Sequence, residues 1–499
     1  MKRSAGVIMH IASLPGKYGI GTFGREAYNF VDFLSKTGLR YWQILPLGQT
    51  GYGDSPYQSF SAFAGNPYFI DFDLLCKERL LNKEDYINED YGDDEESIDY
   101  GLLFKVKYKV LKKAYKNFKE VKSLRTHDEY RKFERQNSFW LEDYSLYMAV
   151  KEHFGLVSWQ EWDEDIKCRE KDAMRRYKEL LEDEINYWKF IQFIFYKQWN
   201  KLKRYTNAQG ISIIGDIPIY VAEDSADTWS NPQDYLFDLE TLKPLKVAGC
   251  PPDAFSSTGQ LWGNPIYNWE HMEEEDYKWW ISRIKQSLNI YDVLRIDHFR
   301  GFESFWQIPF GDKTAENGEW VKGPGMKLFS KIKEELGDLN IIAEDLGFMT
   351  EEVKTFLEES GYPGMKVLQF AFDAREESDH LPHNFKRKVI AYTGTHDNDT
   401  FRGWFEKTGN KDDVDYCKEY LALSEEEGYN WGFIRGAWSS VADLSMALMQ
   451  DFLDLGNEAR INLPSTLGEN WKWRLKSGSY NCDLADKIYK YTKMYGRCE

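Results

Sequence analysis

The sequence predicts an α/β protein built on a (β/α)8 TIM-type barrel, with a mainly helical insertion between the second and third strands. Three features lead there. Short apolar runs rich in β-formers recur about eight times with helical stretches between many of them, the mark of parallel βα units. The chain has 499 residues, 42% of them hydrophobic, enough for a large core with an insertion. Several of the runs end in charged residues, at the end of a barrel strand where chemistry is kept.

The strands read at 6–10, 41–46, 211–220, 293–298, 340–344, 366–372, 389–395 and 459–463. Between the second and third the pattern changes. After 66–71 the chain turns acidic (Asp90, Asp93, Asp94, Glu95, Glu96), and then Phe104, Tyr108, Leu111, Tyr115 and Phe118 recur at spacings of four and three with lysines between them. That is one apolar face of an amphipathic helix. Further helices are expected over 139–154 and 187–205. The last leads into the third strand and ends at Gly210 as a C′ residue. The division is barrel 1–71, helical insertion 72–184, and barrel again 185–499. No internal repeat or low-complexity tract interrupts it.

Asp and Glu number 82 against 64 Lys and Arg, a net charge of −18, which argues against a nucleic-acid or anionic-membrane partner. Aromatics reach 16%, with Trp 18, Tyr 32 and Phe 31. Sugars present flat apolar faces bordered by hydroxyls, and Trp and Tyr match both features, although most aromatics are core. The cysteines Cys76, Cys168, Cys250, Cys417, Cys482 and Cys498 form no CxxC pair and no zinc-like spacing. The N-terminal run lacks a signal-peptide pattern, and no apolar stretch approaches the ~18 residues of a membrane helix. A soluble, cytoplasmic protein with reduced thiols is expected.

Gly19, Gly21 and Gly24 spell GxGxxG between a strand and a helix. The dinucleotide reading needs an acid at the end of the next strand, and 41–46 ends in Leu and Pro instead. A tight glycine-dependent loop is the better reading.

Three motifs carry chemistry. In 295–298 Arg295 and Asp297 share one strand face while Ile296 points to the covering helices. Charges at the end of a strand otherwise expected to be apolar must pair or bind something, so the choice is between a rim ion pair and a site. In 341–347 a strand runs into Glu344 and Asp345, which point to opposite faces, leaving catalysis and a helix N-cap both open. In 393–400 His396, Asp397, Asn398 and Asp399 could be metal ligands, but no second ligand cluster accompanies them, and Asp399 or Thr400 could cap the next helix. Together they put carboxylates at the ends of three strands, with an Arg and a His beside them. Glycosidic cleavage needs such a set: one carboxylate at the anomeric carbon and a second, held protonated, for the leaving oxygen, ~5 Å apart in the retaining case. Repulsion and burial raise the acid's pKa, and the Arg keeps the nucleophile ionised.

The ordered motifs RIDHFRG (295–301), AEDLG (343–347) and GTHDNDT (394–400) resemble those of the amylomaltases, the 4-α-glucanotransferases related to the α-amylase clan. The resemblance runs from SLPGKYGIG (13–21) to NWKWR (470–474) through DSPYQSFSAFAGNPYFID (54–71), GDIPIYVAEDSADTW (215–229) and PPDAFSSTGQLWGNP (251–265). It implies Asp297 as nucleophile, Glu344 as general acid/base and Asp397 as the third carboxylate. It implies Arg295, His396 and Asp216 around the reacting sugar. The segment 249–264 would arch over the active-site cleft with Phe255, Gln260 and Trp262 as glucan contacts, opposite Ser55 and Tyr57. After Asp216 the chain runs Ile217-Pro218-Ile219-Tyr220 where the wider clan often has a calcium-linked Asn-His pair, so neither metal nor cofactor is expected. The implied substrates are an α-1,4-glucan donor and a glucose or maltooligosaccharide acceptor. An amylase-like hydrolase, a metal hydrolase and a non-catalytic glucan-binding module are the alternatives.

Overall fold

The computed structural model describes residues 2–51, 53–120, 124–252, 256–347 and 349–498. Among them, eight parallel strands make the frame: β1 (Ser4–Ile8), β2 (Tyr41–Gln43), β3 (Ser212–Ile217), β4 (Val293–Ile296), β5 (Ile341–Ala343), β6 (Gly364–Val367), β7 (Val389–Tyr392) and β8 (Leu444–Leu448). Neighbours in sequence pair from β1 to β5 and from β6 to β8, and β8 returns to β1 with Ser4 opposite Leu444.

The ring closes between β5 and β6 by other means. The Ala343 amide donates to the Pro363 carbonyl at 3.0 Å, and the Met365 amide to the Asp345 carboxylate at 2.6 Å. A Cβ on Gly364 would lie 2.3 Å from that carboxylate, so only glycine fits there. Alternation sorts the side chains: Ile214, Val293, Ile342, Met365, Ile390 and Leu444 fill the lumen, while Leu294 and Ile296 face the helices.

Seven of the expected strands hold with shifted ends; the eighth does not. Residues 459–463 follow a 3-10 turn, Asn457–Ala459, and run as a loop, while the eighth strand is Leu444–Leu448. A fully buried five-residue run carries no two-residue alternation, and Leu444–Leu448 reads as a continuation of the apolar helix Tyr429–Ser439 before it.

Between β2 and β3 lie the helices Tyr100–Glu120, Leu124–His153, Lys171–Leu180 and Glu182–Ala208. Gly210, at φ +74°, follows the last one in the left-handed conformation expected of it. The face of Tyr100–Glu120 holds at Leu111, Tyr115 and Phe118 and departs in its first turns. Phe104 is 47% exposed, whereas Lys107 is fully buried, donating to the Tyr68 carbonyl at 2.5 Å. The arching segment is a β-hairpin rather than a loop. Strands Lys246–Cys250 and Gln260–Pro265 pair antiparallel and join Ser304–Pro309 and Glu319–Lys322 in a four-stranded sheet. A Cβ on Gly249 would meet the Gln260 carbonyl at 2.2 Å, which lets the two backbones close. No helix among the described residues is long and apolar enough to cross a membrane, and none of the cysteines is in a disulfide among the described residues.

Candidate active site

Asp216 on β3 stands in register with Arg295 on β4. Both are buried, and Arg295 Nη1 donates to Asp216 Oδ2 at 2.5 Å. Its Nη2 lies 3.0 Å from Asp297 Oδ1, so one guanidinium spans two carboxylates. The Tyr57 hydroxyl adds a donor to Asp216 Oδ2 at 2.9 Å. The ion pair, one of the alternatives left by the sequence, is present.

Glu344 follows β5 and is 8% exposed. Its Oε2 accepts the His298 amide and its Oε1 the Leu346 amide, both at 2.7 Å. His298 presents that amide from a left-handed conformation, φ +52°, in the residue next to Asp297. Burial, reinforced by Asp297, pushes the Glu344 carboxyl up to about 8 against the opposing Arg295 and the two amides. Burial also lifts Asp297, to about 6; Arg295 and His396 oppose it, and Asp216 and Asp397 add to it. Arg295 therefore limits the rise without reversing it, and Asp297 is ionised only above about pH 6. Asp345 points the other way, to the β5–β6 joint, and the cap of the next helix is Thr350.

Asp397 follows β7. Its Oδ1 accepts Asn462 Nδ2 at 2.6 Å and lies 3.4 Å from His396 Nε2, and its carbonyl accepts Arg460 Nη2 at 2.6 Å. The His396 ring stacks on Tyr57, centroids 5.2 Å apart at 16°, with Trp471 at 5.9 Å beyond. In the rest of the motif Asn398 ties the turn to the Thr395 amide, Asp399 pairs with Arg460, and Thr400 caps the next helix turn. Among the described residues no three His, Cys, Asp or Glu side chains gather as metal ligands.

On the covering hairpin Trp262 meets the His298 ring edge to face, 4.8 Å between centroids, and donates Nε1 to Gln260 Oε1 at 3.1 Å. Gln58 Nε2 donates to Asn264 Oδ1 at 3.0 Å, tying the hairpin to the segment that carries Tyr57. Ser55 Oγ accepts the Tyr57 amide at 3.3 Å, a turn contact away from the carboxylates. Phe255 lies outside the described residues. Sequence reasoning missed His298, Asn462 and Trp471. His298 sits inside a motif already singled out. Asn462 carried no signal because its segment read as a strand.

The 4-alpha-glucanotransferase family model matches residues 9–480. The chain belongs to this family. A 4-alpha-glucanotransferase of Clostridium butyricum is 60% identical over 491 residues, covering 98% of this chain and all of that one. The amylomaltase of Streptococcus agalactiae, solved with acarbose, superposes with a TM-score of 0.96 at 46% identity, over 99% of this chain and 100% of that one. The amylomaltase of Corynebacterium glutamicum, at 17% identity and a TM-score of 0.80, shares the fold over 100% of this chain and 75% of its own. Family membership makes this chain a transferase of the glycoside-hydrolase type, a 4-alpha-glucanotransferase.

Proposed function

We propose that the enzyme moves a segment of an α-1,4-glucan to the 4-hydroxyl of a glucan or glucose acceptor by retaining double displacement. Asp297 attacks the anomeric carbon while Glu344 protonates the departing glycosidic oxygen, leaving a glycosyl ester on Asp297 and a shorter glucan. Glu344, now a carboxylate, takes the proton of the incoming 4-hydroxyl as that oxygen displaces Asp297. Asp397, oriented by Asn462, grips sugar hydroxyls and stabilises the oxocarbenium-like transition state. Arg295 and Asp216 fix the nucleophile; Tyr57, His396, Trp262 and Gln260 form the sugar's surroundings, and the family resemblance assigns Phe255 and Ser55 to glucan contact as well. The observation that carries this reading is the pairing across His298. The acid is held by the amide next to the nucleophile, and its carboxyl is lifted to about 8 while the nucleophile's is near 6.

Transfer prevails over hydrolysis when an acceptor is bound and oriented and water is kept out. The hairpin holding Trp262 over His298 supports that outcome. Incubation with maltotriose tests it. Glucose and longer chains should accumulate with reducing ends constant, whereas a rise in reducing ends would make the protein a hydrolase. Residues 72–184 are assigned as the helical insertion. Cysteines without disulfides suit a reducing, cytoplasmic compartment.

A further inference from the structure

The turn that carries His396 and Asp397 is fastened from behind by a buried residue that no sugar reaches. Asp451 lies on the short helix Met449–Phe452 after β8 and is 2% exposed. Its Oδ2 accepts the Thr393 hydroxyl at 2.6 Å, and its Oδ1 accepts the Phe401 amide at 2.8 Å. Thr393 is the first residue past β7, and Phe401 begins the next helical turn, so both ends of the turn are tied to one carboxylate. Asn430 Nδ2 donates to the Asp451 carbonyl at 2.9 Å and braces it from the helix Tyr429–Ser439. The neighbouring Gln450 donates Nε2 to the Ala459 carbonyl at 3.1 Å, at the head of the loop whose Arg460 and Asn462 hold Asp397 from the other side.

A carboxylate is a costly choice for this position. Burial lifts it to about 6 against the bonds from Thr393 and Phe401, and Asp454 adds to the rise. Both donors to its side chain are neutral, so no ion pair among the described residues offsets the lost hydration. An apolar side chain would spare the core that loss. What the carboxylate supplies instead is two polar atoms on one rigid plane, set for the two ends of a turn that must hold Asp397 closely in place.

We propose that Asp451 is a positioning residue for the transfer reaction, stapling the turn 393–401 so that Asp397 meets the reacting sugar in the orientation the transition state needs. The proposal rests on the reading of Asp397 as the third carboxylate. In Asp451→Ala both ties are lost, and kcat with maltotriose should fall ~10²-fold. Asp451→Asn still offers an oxygen to the Phe401 amide and an NH2 to Thr393 Oγ1, and should recover most of that rate. Thr393→Val keeps the side-chain size, removes one tie, and should lower kcat about tenfold with KM within about twofold. It carries the test where Asp451→Ala does not fold. The deciding measurement is a cycle with Asp397→Asn. Once that carboxylate is gone its aim no longer matters, and Thr393→Val should slow transfer by less than about twofold further. Losses that multiply in the double variant overturn the proposal. So does an unchanged kcat in Asp451→Ala or Thr393→Val, a loss in Thr393→Val carried by KM alone, or an Asp451→Asn chain as slow as Asp451→Ala. If Asp397→Asn alone transfers at the unaltered rate, the reading of Asp397 falls and takes the proposal with it.

Discussion

The two walls of the barrel lumen are built to different ends. Along β6, β7 and β8 the inward residues stay apolar almost to the rim: Met365, Val367, Ile390, Leu444, Met446 and Leu448. Along β3, β4 and β5 the lower positions are the same kind, Ile214, Val293 and Ile342, but the upper ones change to Asp216, Arg295 and Glu344. The first wall stabilises through burial alone, at ~25 cal/mol per Å². The second takes charges out of water and recovers the loss only while every partner is present. Charge gathers at the β3–β5 rim, while the β6–β8 lumen stays apolar up to the turn after β7 that carries His396 and Asp397.

That contrast can be broken at graded cost. Asp297→Asn should lower transfer from maltotriose by ~10⁴-fold or more while the melting temperature holds, because Asp297 is part-exposed and Arg295 keeps its bond to Asp216. Glu344→Gln should cost ~10²–10⁴-fold with donors having poor leaving groups yet still form the glycosyl ester from an activated glucosyl fluoride; equal loss with both donors would remove the acid role. The unaltered enzyme should show a bell in kcat/KM against pH. Activity falls below about 6 as Asp297 takes up a proton and above about 8 as Glu344 loses the one it donates. In Glu344→Gln the alkaline limb should disappear. Arg295→Met strands Asp216 in the interior and should cost ~3–5 kcal/mol in urea unfolding. On the opposite wall Ile390→Val should cost only ~1 kcal/mol, with kcat/KM for maltotriose unaltered.

The reactive wall was the more legible of the two in the sequence. Arg295, Asp297 and Glu344 stand out because charge at a strand end breaks an apolar run. The stabilising wall offers no such break, which is how Leu444–Leu448 was not picked out as a strand and 459–463 took its place. That displacement hid Asn462, whose bond to Asp397 depends on the loop it occupies. Lys107 was unreadable for another reason: a lysine on a helix reads as solvated, and only the tertiary position of the Tyr68 carbonyl makes a buried one acceptable. The hairpin over the cleft read as a loop because the strand that Lys246–Cys250 pairs with outside the hairpin, Ser304–Pro309, lies far along the chain.

The joint between β5 and β6 carries one last implication. Where its neighbours share ladders of main-chain bonds, this junction leans on the carboxylate of Asp345, and the preceding residue is Glu344. Latch and proton donor are consecutive links, so a disturbance that springs the latch re-aims the acid while the remaining staves still hold the cylinder in shape. A side chain at position 364 should therefore lower transfer more than it lowers the melting temperature.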